Sequence, residues 1–243
     1  MSFPSYARAC ALIVVITFAA GQQASAQGRG RGRGRGNDEH PAPPPVSQQE
    51  QQRRIAEEQS RQQEYRTRLD AQIRAAQAQQ AQLQAAHHAA QLAQHQRYLA
   101  ELQRQREEVQ AQRDYAHEAY VATPMSYRYR YNGVVRQTNQ YGADLLRQAV
   151  SEGYQQGYAQ GQADRQDGAG SNYRRAFAYE DANAGYTGAY VPQSDYNYYF
   201  REGFRRGYQD GYASTHRYGN FSNGTASILG TVLSGILGLT SLR

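Results

Sequence analysis

EGYQQGYAQG (Glu152–Gly161) and, fifty positions later, EGFRRGYQDG (Glu202–Gly211) are the stretches that decide how this chain folds. Glycine returns every fourth residue in both, at Gly153, Gly157 and Gly161 and again at Gly203, Gly207 and Gly211. An aromatic follows most of them: Tyr154, Tyr158, Phe204, Tyr208 and Tyr212. Four-residue spacing keeps these positions on one side of an α-helix. Yet each interior glycine costs about 1 kcal/mol relative to alanine, so six cost on the order of 6 kcal/mol. Close packing must offset that. Glycines at this spacing open a flat groove that admits a second backbone or an aromatic ring. The rings of the partner repeat are the expected filling, each bringing about 150–250 Å² of contact.

The stretches are copies of one unit. Glu152, Gly153, Tyr154, Gly157, Tyr158, Gly161 and Ala163 pair with Glu202, Gly203, Phe204, Gly207, Tyr208, Gly211 and Ala213. Two copies are too few for a solenoid, so a packed helical pair is expected. Leu145, Leu146, Ala149 and Val150 lead an apolar stripe into the first copy. The helices are expected at about 142–165 and 195–213. Their charges, among them Glu152, Asp164, Arg201, Arg205, Arg206 and Asp210, exclude a membrane span.

GADLLRQAVSEGYQQGYAQGQADRQDG (142–168) followed by YYFREGFRRGYQDGY (198–212) resembles a group of uncharacterised exported bacterial proteins with paired aromatic-glycine repeats, a Tyr-rich connector and an apolar tail. The resemblance covers roughly residues 127 to 243 and leaves the Gln-rich segment outside. It implies a folded unit in an envelope setting and no catalytic activity.

The rest of the chain divides by composition. Residues 1–26 read as an export signal: Arg8, the apolar run Cys10–Ala20, and small residues at Ala24–Ala26 ahead of Gln27. Cys10 is the only cysteine, so the chain expected after cleavage holds no thiolate nucleophile and no disulfide. Residues 27–46 alternate Gly and Arg (Arg29, Arg31, Arg33, Arg35) and then turn Pro-rich, which reads as a disordered linker. Residues 47–123 hold no Gly or Pro, and residues 46–120 hold 20 glutamines. This predicts one long polar helix with Ser47–Glu50 as a capping box. Leu69, Ile73, Ala76, Leu83 and Ala90 outline a thin heptad seam that slips near Leu92, which reads as a stutter in a weak, self-associating coiled coil. Residues 124–221 form the Tyr/Gly repeat unit. Within them SYRYRYNGVV (Ser126–Val135) carries a strand-turn signal at Asn132-Gly133. Residues 222–243 read as an apolar C-terminal helix that packs on the domain, on a partner copy, or against a membrane surface through 225–242.

The fold class expected is therefore mainly α: a disordered tail, a long polar helix, a helical hairpin packed through Gly and Tyr, and an apolar tail helix. The net charge is +6, and every basic residue is arginine. Arginine favours bidentate contact with anions. No hydrolase, nucleotide-binding or zinc-protease motif occurs. His87, His88 and His95 lack the spacing and carboxylate of a helical metal site, and DRQDGAGSN (Asp164–Asn172) lacks the pattern of a Ca²⁺ loop. Glu152 and Glu202 are a repeat-related carboxylate pair that a glycosidase would need close together. The reading preferred over it is an exported, non-enzymatic structural or interaction protein with no cofactor and no small-molecule substrate. The alternative is a binding module for an anionic glycan, lipopolysaccharide or nucleic acid, carried by Arg29–Arg35, Arg128 and Arg130.

Overall fold

A computed structural model describes residues 44–111 and 117–242, which belong to one unit, Ala42–Arg243. The expected export signal and the Gly-Arg run lie outside the described residues. The protein is mainly helical. In chain order the elements are α1 (Gln48–Ala85), α2 (Ala89–Ala111), α3 (His117–Ala122), β1 (Tyr127–Tyr131), β2 (Val134–Thr138), α4 (Gln140–Gln166), α5 (Phe177–Asp181), α6 (Gln193–Ala213), β3 (Gly219–Ser222), β4 (Thr225–Ile228), α7 (Gly230–Leu237) and β5 (Thr240–Ser241). A short 3₁₀ turn, Tyr173–Arg175, precedes α5.

The two repeat helices, α4 and α6, form the centre. Gly153, Gly157 and Gly161 meet Phe200, Phe204 and Tyr208 in that order, so α4 and α6 run in the same direction. Consecutive helices joined as a hairpin would run oppositely. Here the Tyr-rich connector carries the chain back along the full length of α4, about 40 Å. Asn139 caps α4: its side chain accepts from Tyr141 N and Gly142 N, and its amide donates to Tyr120 O at 2.9 Å.

The Gln-rich segment is not one helix. It reverses at Ala86–His88, where His87 takes a left-handed φ of 58°, and α2 returns along α1. His95 Nε2 meets Ala76 O at 2.7 Å, and Arg66 Nη2 donates to Val109 O. The heptad slip read as a stutter is therefore the chain reversal. Leu69, Ile73 and Ala76 from α1 pack with Tyr98, Leu99, Leu102 and Val109 from α2 in the same core cluster as α4 and α6. The start of α2 is fixed from a distance: Asp167, just past α4, accepts from Ala90 N at 3.1 Å and Gln91 N at 2.8 Å. At the other end Ser47 caps α1 through Glu50 N, while the Glu50 carboxylate turns to Arg53 and Arg54 rather than completing a capping box.

The C-terminal segment also departs from expectation. It is a hairpin, β3–β4, followed by a helix of only 8 residues and a strand. Asn223-Gly224 makes the hairpin turn with φ of 51° and 78°, matching Asn132-Gly133 at 48° and 82° between β1 and β2. Both Asn-Gly pairs carry the positive φ that a two-residue hairpin demands. Gly238, at φ 52°, ends α7, and β5 then pairs with β1 to give the sheet order β2-β1-β5. Leu233, Ile236, Leu237 and Leu239 pack on the core, so α7 rests on α4 and α6. No helix among the described residues is long and apolar enough to cross a membrane.

Candidate functional site

The repeat interface is built from backbone. A Cβ at Gly153, Gly157 or Gly161 would overlap the carbonyl oxygen of Phe200, Phe204 or Tyr208. A Cβ at Gly203, Gly207 or Gly211 would overlap that of Val150, Tyr154 or Tyr158. Each glycine of one helix thus faces a carbonyl of the other, an arrangement suited to Cα–H···O contacts. This corrects the expectation that rings fill the grooves: the facing main chain occupies them, leaving no space for a ring.

The aromatics instead flank the seam. Phe200, Phe204, Tyr208 and Tyr212 stack along α6 with centroids 6.2, 6.4 and 5.9 Å apart. Tyr154 and Tyr158 stack along α4 at 6.4 Å, and Phe221 of β3 covers Tyr158 at 5.3 Å. The tyrosine hydroxyls then cross to the opposite helix. Tyr154 Oη donates to Asp210 at 2.9 Å and Tyr208 Oη to Asp164 at 2.6 Å. The two bonds follow one rule: each acceptor lies six residues beyond the residue that pairs with the donor in the repeat. The internal symmetry seen in sequence extends to these bonds.

Buried carboxylates tie the outer elements to this pair. Asp210 has no exposed surface and also accepts from Thr215 Oγ1, Arg217 N and Tyr218 N, which fixes the exit from α6. Asp195, equally buried in the first turn of α6, takes both contacts of Arg136 from β2 at 2.5 and 2.6 Å, with Tyr129 Oη at 2.7 Å. Gln105 of α2 fixes the connector: its amide donates to Asn183 O and Tyr186 O and accepts from Gly185 N. None of these roles was assigned from sequence. The one legible cue was Asp210 standing directly before a repeat glycine.

The proposed glycosidase pair is split between different partners. Glu152 accepts from Gln156, and burial pushes its carboxyl above the ordinary range. Glu202 is held by Arg205 and Arg206 at 3.0 and 2.8 Å. No hydrogen bond joins the two glutamates among the described residues. Of the histidines, His95 is buried against Phe177, and no cluster of three metal-ligating side chains occurs among the described residues.

Arg128 and Arg130 alternate outward from β1 while Tyr129 points into the core. Their cross-strand partners are Gln137 and Val135, so one sheet face carries two exposed arginines and no carboxylate among β1, β2 and β5. Neither arginine forms an ion pair among the described residues. Val134 and Val135 stand exposed at the end of the same hairpin. Arg29, Arg31, Arg33 and Arg35 lie outside the described residues.

Burial raises the phenol pKa of Tyr65, Tyr98, Tyr120, Tyr129, Tyr154, Tyr179, Tyr186, Tyr190, Tyr196, Tyr199 and Tyr208, with Tyr199 pushed up to about 12. Below pH 10 both folded and unfolded chains keep these protons, so the tyrosines add no pH dependence to stability there. Above it the folded protein retains protons that the unfolded chain releases, so stability falls. An alkaline titration followed by tyrosinate absorbance should therefore show these buried tyrosines ionising above pH 10, together with loss of the fold. A single phase at pH 10 in folded protein would contradict the burial described.

Comparison with protein-family models, curated proteins and solved structures finds no match for this chain.

Proposed function

We propose that this is an exported, non-enzymatic interaction protein of the bacterial envelope whose folded unit is a rigid platform. One observation carries the reading. The buried carboxylates Asp164, Asp195 and Asp210 are each engaged in bonds that join one element to another. Fractionation of native cells tests it. Recovery of the protein with the envelope supports the reading, and recovery in the cytosol overturns it.

The arginine face favours a second reading, contact with an anionic polymer through Arg128 and Arg130. Binding to a soluble polyanion should weaken with salt. In the Arg128→Gln/Arg130→Gln double variant the slope of log affinity against log salt should fall by about 2. An unchanged slope would remove the sheet from any such contact.

A further inference from the structure

The hairpin β1–β2 ends in the two most exposed large apolar side chains among the described residues. Val134 is 59% exposed and Val135 51%. They follow the Asn132-Gly133 turn directly, and successive strand residues point to opposite faces. The tip is therefore apolar on both faces. Contact with one flat partner would use a single face of the sheet. Exposure on both suits insertion into a medium that surrounds the tip.

Cations stand directly behind it. Arg130 is opposite Val135, and Arg128 lies two residues farther from the turn, opposite Gln137. Both are exposed, with no carboxylate partner among the described residues. Two strand residues span about 7 Å. The headgroup layer on each side of a bilayer is about 5–8 Å thick. With the valines at the acyl boundary, the arginines reach the level of the lipid phosphates, which guanidinium groups hold bidentately. Tyr129 and Arg136 fasten the base of the hairpin to Asp195, so the tip is presented preformed and little is lost in ordering it. Tyr199 Oη donates to Arg130 O at 2.7 Å and lies 3.3 Å from Leu237 O, which places the end of α7 beside β1. From Thr225 to Leu242 the chain carries no charge, so this neighbour does not repel an anionic surface.

We infer that this hairpin tip is a membrane wedge: Val134 and Val135 enter an anionic lipid surface while Arg128 and Arg130 hold its phosphates. The inference rests on the arginine face of the second reading and replaces the polymer with a bilayer. A polymer in water offers anions to the arginines but no apolar phase to the valines. A lipid surface offers both, and interfacial binding strength grows with buried apolar area and with attraction to anionic headgroups.

The test is cosedimentation of the protein, purified from native cells, with vesicles of mixed phosphatidylglycerol and phosphatidylcholine. Binding to soluble polyphosphate is measured in parallel. The protein should bind the vesicles and release them as salt is raised. Arg128→Gln/Arg130→Gln should weaken vesicle binding about thirtyfold, or about fivefold per arginine, and weaken polyphosphate binding as well. Val134→Thr/Val135→Thr keeps β-branched residues in the strand. It should weaken vesicle binding about tenfold or more and leave polyphosphate binding unchanged. The chain has no tryptophan, so Val135→Trp supplies a single local reporter. Its emission should shift to the blue on the vesicles and be quenched by lipids brominated on the acyl chain. Matching thermal midpoints show that all three variants are folded. The inference is overturned by no binding to the vesicles, by full vesicle affinity in either double variant, or by reporter emission that the vesicles leave unmoved. Arginine-dependent polyphosphate binding alongside any of these keeps the second reading and strikes the wedge alone. A dimer that the threonine variant dissociates would make the valines a contact between copies, which also overturns the wedge.

Discussion

Gly157→Ala lowers the stability of the folded unit by about 4 kcal/mol or more. On an exposed helix the same change would stabilise by about 1 kcal/mol, because alanine is the better helix former. The sign reverses here because the added methyl would overlap Phe204 O, a main-chain atom that no rotamer change moves aside. To admit it, α4 and α6 must separate. Because the glycines of both helices interlock, separation at one level loosens the contacts at Gly153, Gly161, Gly203, Gly207 and Gly211 as well. Gly235→Ala in α7 is the matched control: nothing lies within 4 Å of its added carbon, so it should be neutral or stabilising by up to about 1 kcal/mol. Urea unfolding followed by near-ultraviolet tyrosine dichroism checks both. Equal midpoints for the two variants would rule out backbone contact as the role of the repeat glycines.

Asp210→Ala costs about 3 kcal/mol. The carboxylate is fully buried and satisfies four donors: two hydroxyls, from Tyr154 and Thr215, and two main-chain amides, at Arg217 and Tyr218. Removing it leaves all four without their acceptor in a place that water reaches poorly. It also unfastens the chain between α6 and β3, so the hairpin β3–β4 should gain hydrogen-exchange rate ahead of the α1–α2 pair. Tyr154 supplies an independent readout. Burial and then the Asp210 carboxylate raise its phenol pKa, so in the variant Tyr154 should ionise at lower pH. A variant with unchanged stability and unchanged tyrosine titration would show that Asp210 is not the fastening described.

Local patterns written in adjacent residues were legible without the structure. The repeat helices fall at 140–166 and 193–213, within two residues of the bounds read from periodicity. Asn132-Gly133 marked a hairpin because few residue pairs accept two successive positive φ values. The same signal at Asn223-Gly224 is equally readable, but the uncharged run after it favours a helix over 222–243. The break at His87 was less visible. Alanine, glutamine and histidine there impose no stop, and the reversal is held by contacts far away in sequence, Asp167 with Ala90 and Gln91, and His95 with Ala76. Only the slipped heptad hinted at it.

The sequence by itself determined that six glycines at helical spacing, in two copies, must form a close interface, because their cost in helix propensity has no other return. It also determined the mainly helical class. Only the tertiary structure decided that α4 and α6 run parallel, that carbonyls rather than rings fill the grooves, and that the buried aspartates fasten the outer elements. The physical reason is one of range. Spacing fixes which residues share a face, but the direction of a neighbouring helix depends on where the connector between them travels, and that route is set by packing among residues distant in the chain.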